Sequence, residues 1–221
     1  MRTLGCASLL LAASVMFALP AQAVPPKARV LTSAEVPASF GTPYSSEFSR
    51  KPRDNAKLVM LCTDSKGGPL ASLPAPTTQY SSKIVMKPKK KVFASVNERV
   101  FVYPSPEAAL AAYTQLAQEV AKCTGTMAGP ADEDPSVVDT YASAVTTDRE
   151  YPSFWVQDST IFTSRDPLRA GRTVTYAVYS QAGDAVIQTD TYVDGRARVT
   201  AAQKSDLQQL AMTLSSKWDR Q

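Results

Sequence analysis

A chain of 221 residues with 24 Lys+Arg against 20 Asp+Glu has a formal charge of +4, too mild for a nucleic-acid binder, while 44% hydrophobic content suits a globular domain with a substantial core. It contains no histidine, which removes Ser-His-Asp and Cys-His nucleophile systems, histidine zinc sites and the commonest general base. No Ser-x-x-Lys pair and no glycine-rich phosphate loop occurs, so Lys-activated serine and nucleotide chemistry lack support.

Residues 1–23 read as a cleavable targeting segment, with Arg2, an apolar run from Leu9 to Leu19 and small residues at Ala21-Gln22-Ala23. The run is shorter than the ~20 residues a spanning helix needs. Cys6 precedes it, whereas a lipid-anchor cysteine would follow. The expected product starts at Val24, secreted, unlipidated and without a membrane span. Residues 24–57 carry five prolines among polar residues and are expected to form an arm without long regular elements. Leu58 to Cys62 is a short apolar run, and residues 63–82 read as a long loop. Cys62 and Cys123 are the two cysteines left after cleavage. In an oxidising compartment a bond between them is expected, restricting the unfolded chain by roughly 4 kcal/mol; free buried thiols are the alternative.

Lys83 to Met86 and Val92 to Tyr103 form a predicted hairpin with its turn at Lys87 to Lys91. A helix follows: Ser105 caps it, Pro106 fits the first position, and Ala109, Leu110, Tyr113, Leu116, Ala117 and Val120 make an apolar stripe that Cys123 continues. After an acidic connector, Val137 to Thr146 and Phe154 to Ser164 read as strands. Thr173 to Ser180, Ala185 to Val193 and Arg196 to Val199 are three more, with a tight turn at Asp194-Gly195. Thr200 and Gln203 make a capping box that opens a second helix, with Leu207, Leu210, Ala211, Leu214 and Trp218 on one stripe. These elements predict an α+β fold, an antiparallel β-sheet with two amphipathic helices packed on one face.

The run Phe101-Val102-Tyr103-Pro104-Ser105-Pro106-Glu107-Ala108-Ala109, the helix ending at Cys123, Val145-Thr146-Thr147-Asp148-Arg149-Glu150 and Trp155 resemble the extracellular sensor domain of PknH-type actinobacterial serine/threonine kinases. So do Gly183-Asp184-Ala185-Val186-Ile187, Gly195-Arg196 and Leu210-Ala211 through Trp218. The resemblance covers roughly residues 55 to 218 and implies an antiparallel sheet with helices, disulfides and a ligand cleft. It assigns residues 58–221 to a sensor-like domain, here without a kinase domain and with one possible disulfide where the kinase sensors have two.

If the helices cover one sheet face, Val96, Val100 and Val102 point to it, and Asn97, Arg99 and Phe101 point to the other. With Arg99, the residues Tyr141, Trp155, Gln157, Tyr179 and Gln188 are expected to line that open face, where aromatics and amides suit a sugar or polar lipid fragment. Lys87, Lys89, Lys90 and Lys91 form either a polyanion patch or a solvated hairpin tip. Asp132-Glu133-Asp134 is too small a cluster for calcium, and Asp139, Asp158 and Asp190 make a carboxylate pair only if the fold assembles one. The reading is a secreted, non-catalytic binding module of the cell envelope for a small polar, glycan or lipid ligand, with no cofactor, metal or nucleic acid. The alternative is a structural envelope protein holding anionic wall polymer through its lysine-rich tip.

Overall fold

The computed structural model describes residues 26–52, 58, 73–87, 93–122, 124–128, 136–146, 150–166, 170–195 and 198–219. The expected targeting segment, the Cys62–Cys123 pair, Lys89, Lys90, Lys91 and the Asp132–Asp134 cluster lie outside these residues.

The described strands are β1 (Pro43–Pro52), β2 (Thr78–Met86), β3 (Ala94–Val102), β4 (Gly125–Ala128), β5 (Ser136–Thr146), β6 (Ser153–Thr163), β7 (Gly171–Ala182) and β8 (Ala185–Asp194). They make one eight-stranded sheet in the order β1-β2-β3-β8-β7-β6-β5-β4, antiparallel throughout. The helices are a short α1 (Pro26–Arg29) and two long ones, α2 (Pro106–Val120) and α3 (Ala201–Asp219). α2 carries the chain from β3 to the far edge, and β5 to β8 then return strand by strand to close beside β3.

Both long helices start where their caps place them. Ser105 Oγ accepts from the Ala108 N–H at 3.3 Å. At α3, Thr200 Oγ1 accepts from the Gln203 N–H at 3.2 Å while the Thr200 N–H donates to Gln203 Oε1 at 2.9 Å, satisfying donors that a helix start leaves unpaired. The expected α3 stripe is buried in full. On α2 the buried residues are Ala109, Ala112, Tyr113, Leu116 and Val120, whereas Leu110 faces solvent.

The helices occupy opposite faces of the sheet, not one face. Along β7, Ala177 and Tyr179 share a core with Leu116 and Val120 of α2, whereas Val174, Tyr176 and Val178 share another with Leu207 and Leu214 of α3. Neighbouring residues of a strand point to opposite faces, so the two cores lie on either side of the sheet. The physical reason lies in the central strands: β7 and β8 are apolar on both sides, as at Ala177-Val178 and Val186-Ile187, and each side needs a cover.

Three further departures from expectation concern polar segments. The proline-bearing arm contains the strand β1, with Pro43 and Pro52 at its two ends on the sheet edge, where proline's missing N–H is tolerated. β2 begins at Thr78, because Thr-Gln-Tyr-Ser-Ser pairs with β3 although its sequence is polar. Of the expected strand Arg196 to Val199, residues 196 and 197 lie outside the described residues and Arg198-Val199 is not in a strand; before it, Gly195 takes φ 90° and its N–H donates to Asp194 Oδ1 at 2.6 Å.

A polar cleft on the α2 face of the sheet

α2 covers only part of its face. Its core takes in Phe101 on β3, Val186 on β8, Tyr179 on β7 and Phe154 on β6. Toward the β2–β3 turn, the same face continues in polar residues. Register places Arg99 opposite Gln188, Asn97 opposite Asp190 and Ser95 opposite Tyr192, all on the side of Phe101. Lys83 of β2 lies opposite Asn97, and Thr175 of β7 opposite Tyr192. These residues, with Phe93, enclose a cavity of about 350 Å³.

Asp190 is its centre. The carboxylate accepts from Asn97 Nδ2 at 2.6 Å on one oxygen, and from Gln188 Nε2 at 3.0 Å and Arg99 Nη1 at 3.2 Å on the other. Asn97 Nδ2 also reaches Ser95 Oγ at 3.3 Å. Ser95, Asn97, Gln188 and Asp190 are all buried, a polar network in the middle of a sheet, where each unmatched group is costly. One is unmatched: Gln188 Oε1 has no hydrogen-bond partner. Burial pushes the Asp190 carboxyl above the usual carboxylate range, against the pull of Arg99, Asn97 and Gln188. Burial also raises the Tyr179 phenol, and the nearby Asp190 charge adds to the effect.

At the lip, the Lys83 ammonium lies 5.8 Å from the Phe93 ring centroid, and Phe93 meets Tyr192 edge-on at 6.1 Å. A second cavity of about 430 Å³ lies beside the first, bounded by Glu47, Ser49 and Ser81. The two share Lys83, Asn97 and Arg99, which form a ridge between them.

The structure brings together Arg99 and Gln188 and sets Tyr179 beside Gln188 in register. Tyr141 is on the same face but buried in the α2 core, away from the cavity. Trp155 and Gln157 are on the opposite face: β6 pairs Phe154 with Tyr179, so Trp155 turns to the α3 side and stacks on Tyr176 at 5.5 Å. These two are therefore not part of the cleft. Lys83, Phe93, Asn97, Asp190 and Tyr192 complete it, and the alternation Gln188, Asp190, Tyr192 on β8 is the signal that marks the last two. Asp190 is separated from Asp158 by β7, so the two do not form a carboxylate pair. Asp158 and Asp139 share a face near the other edge, where burial, then the Asp139 charge, raises Asp158 to about 6. Lys87 is exposed, and its N–H donates to the Thr42 carbonyl at 2.8 Å.

The family model of the PknH-like extracellular domain matches residues 21–204. The chain belongs to the PknH-like extracellular domain family. Its fold is similar to the crystal structure of the extracellular domain of PknH from Mycobacterium tuberculosis, with a TM-score of 0.55 and 17% identity over 88% of this chain and 95% of that one. No curated protein matches the sequence. Among the described residues of this PknH-like domain, no helix is long and apolar enough to cross a membrane.

Proposed function

We propose that this PknH-like domain is a secreted, non-catalytic, sensor-like module of the cell envelope that binds a small polar ligand in the cleft around Asp190. The observation that carries this reading is the buried network of Ser95, Asn97, Gln188 and Asp190 under an open cavity. Such a network is expensive to keep in a sheet centre for packing alone, and its donors and acceptors converge on one concavity, as in small-molecule sites. The absence of histidine and the separation of Asp190 from Asp158 both favour binding over catalysis in this cleft. The family membership supports an extracellular setting.

The test is a titration of isotope-labelled protein with a library of sugars, amino acids and nucleosides, read at backbone amides. Compounds that bind should shift the amides of Asn97, Arg99, Gln188 and Tyr192. A library whose hits map elsewhere, or that yields none, would overturn the assignment.

A further inference from the structure

The ridge between the two cavities carries the chemistry that selects a ligand class. Lys83 is exposed and makes no ion pair among the described residues; Glu47 stands opposite it in register, yet no Lys83–Glu47 bridge forms. Arg99 uses one Nη on Asp190 and leaves its side chain 39% exposed toward the cavities. Against Lys83 and Arg99 stand two carboxylates, Asp190, which already has three donors, and Glu47 at the wall of the second cavity, so the groups that the ridge itself presents to a ligand are the two cations. On one side of the ridge lie acceptors and rings, Gln188 Oε1 without a partner and the Phe93 and Tyr192 pair. On the other side lie the hydroxyls of Ser49 and Ser81, with the exposed Glu47 carboxylate as an acceptor for sugar hydroxyls.

We propose that the cleft takes an acidic saccharide of at least two units, with its anionic group on the Lys83–Arg99 ridge and one sugar in each cavity. The guanidinium and ammonium donate to the carboxylate or phosphate, as charge-assisted hydrogen bonds that a neutral sugar cannot make. One sugar lies against Phe93 and Tyr192 and directs its hydroxyls toward Gln188 and Asn97; the next meets the serine-lined cavity. Neither cation is available to a neutral ligand without leaving a desolvated charge, which is the source of discrimination. The proposal rests on the assignment of this cleft as the binding site.

The experiment uses the secreted chain and four probes at low and physiological salt: a uronate-containing disaccharide such as that of hyaluronan, glucuronate alone, cellobiose and inorganic phosphate. The uronate disaccharide should bind about tenfold tighter than cellobiose, the margin of one charge-assisted contact, and tighter than glucuronate or phosphate. Lys83→Met, at an exposed position that leaves the fold intact, should abolish that preference, and Lys83→Arg should restore most of it. Equal binding of cellobiose, or indifference to Lys83→Met, overturns the acidic class while leaving the cleft assignment standing. Phosphate reproducing the disaccharide's shifts with equal affinity overturns it in favour of a simple anion site. If library compounds occupy the cleft and none of the four probes does, the saccharide inference alone fails.

Discussion

The Leu31 N–H donates to a carboxyl oxygen of Glu98 at 2.5 Å, across 67 residues of sequence, with Glu98 wholly buried on the α3 face of the sheet. The other carboxyl oxygen, Oε1, has no partner, nor does Oγ1 of Thr189, which stands opposite Glu98 in register. The N-terminal segment closes over this point. The Ser82 hydroxyl donates to the Leu31 carbonyl at 2.6 Å, and Lys217 of α3 bridges to Glu35.

Burial raises Glu98 from 4.5 to about 8, opposed by the Leu31 hydrogen bond and by Lys217. The folded state therefore holds a proton that the unfolded chain releases between these two values. The stability this contributes is complete below the unfolded value, falls as pH rises, and is gone above about 8. Urea midpoints at intervals from pH 5 to 9 should fall, and Glu98→Gln, which keeps an acceptor for Leu31, should flatten the curve between 6 and 8. An unchanged slope in the variant would show that Glu98 is not the group responsible.

Asp190 and Arg99 should respond unequally to truncation. Asp190→Ala removes the acceptor of three donors, two of them on buried side chains, and should cost about 3 kcal/mol. Arg99→Met removes a half-exposed partner from an Asp190 that keeps two amide donors, and solvent screening holds its cost to about 1 kcal/mol. Thermal melts of the two variants decide the order. Equal losses would mean that the ion pair, rather than the amide network, holds the carboxylate.

Helices on opposite faces should be energetically independent. Leu116→Val on α2 and Leu214→Val on α3 each remove one buried methylene and should each cost about 1 kcal/mol, and the double variant should show their sum to within ~0.5 kcal/mol. A coupling well above that, measured by denaturant titration, would contradict a sheet standing between the two sites.

A bond between Cys62 and Cys123 remains the expectation. Leu58, four residues before Cys62, packs with Leu116 and Val120 beneath α2. Mass spectrometry of secreted protein should find no alkylatable thiol, and reduction should lower stability by about 3 kcal/mol. Two free thiols in native material would refute the pairing.

The sequence by itself determined what local chemistry controls. Ser105-Pro106 and the Thr200/Gln203 box set the starts of α2 and α3; the β-branched runs around Val174 and Val186 made the two central strands; the pattern from Phe101 to Trp218 pointed to the family that the matched residues bear out. Alternation also put Arg99 and Asn97 together on the side away from Val96 and Val100. Tertiary structure decided the rest. Period-two alternation says which residues of one strand share a face, but never which face that is relative to another strand; only the pairing of Phe154 with Tyr179 turned Trp155 and Gln157 away from the cleft. At Ala177-Val178 and Val186-Ile187, where β7 and β8 are apolar on both sides, alternation carries little signal, so the helices' opposite placement could not be read from their stripes. Asp190 meets Arg99 across 91 residues, and that encounter exists only because β8 returns to the middle of the sheet beside β3.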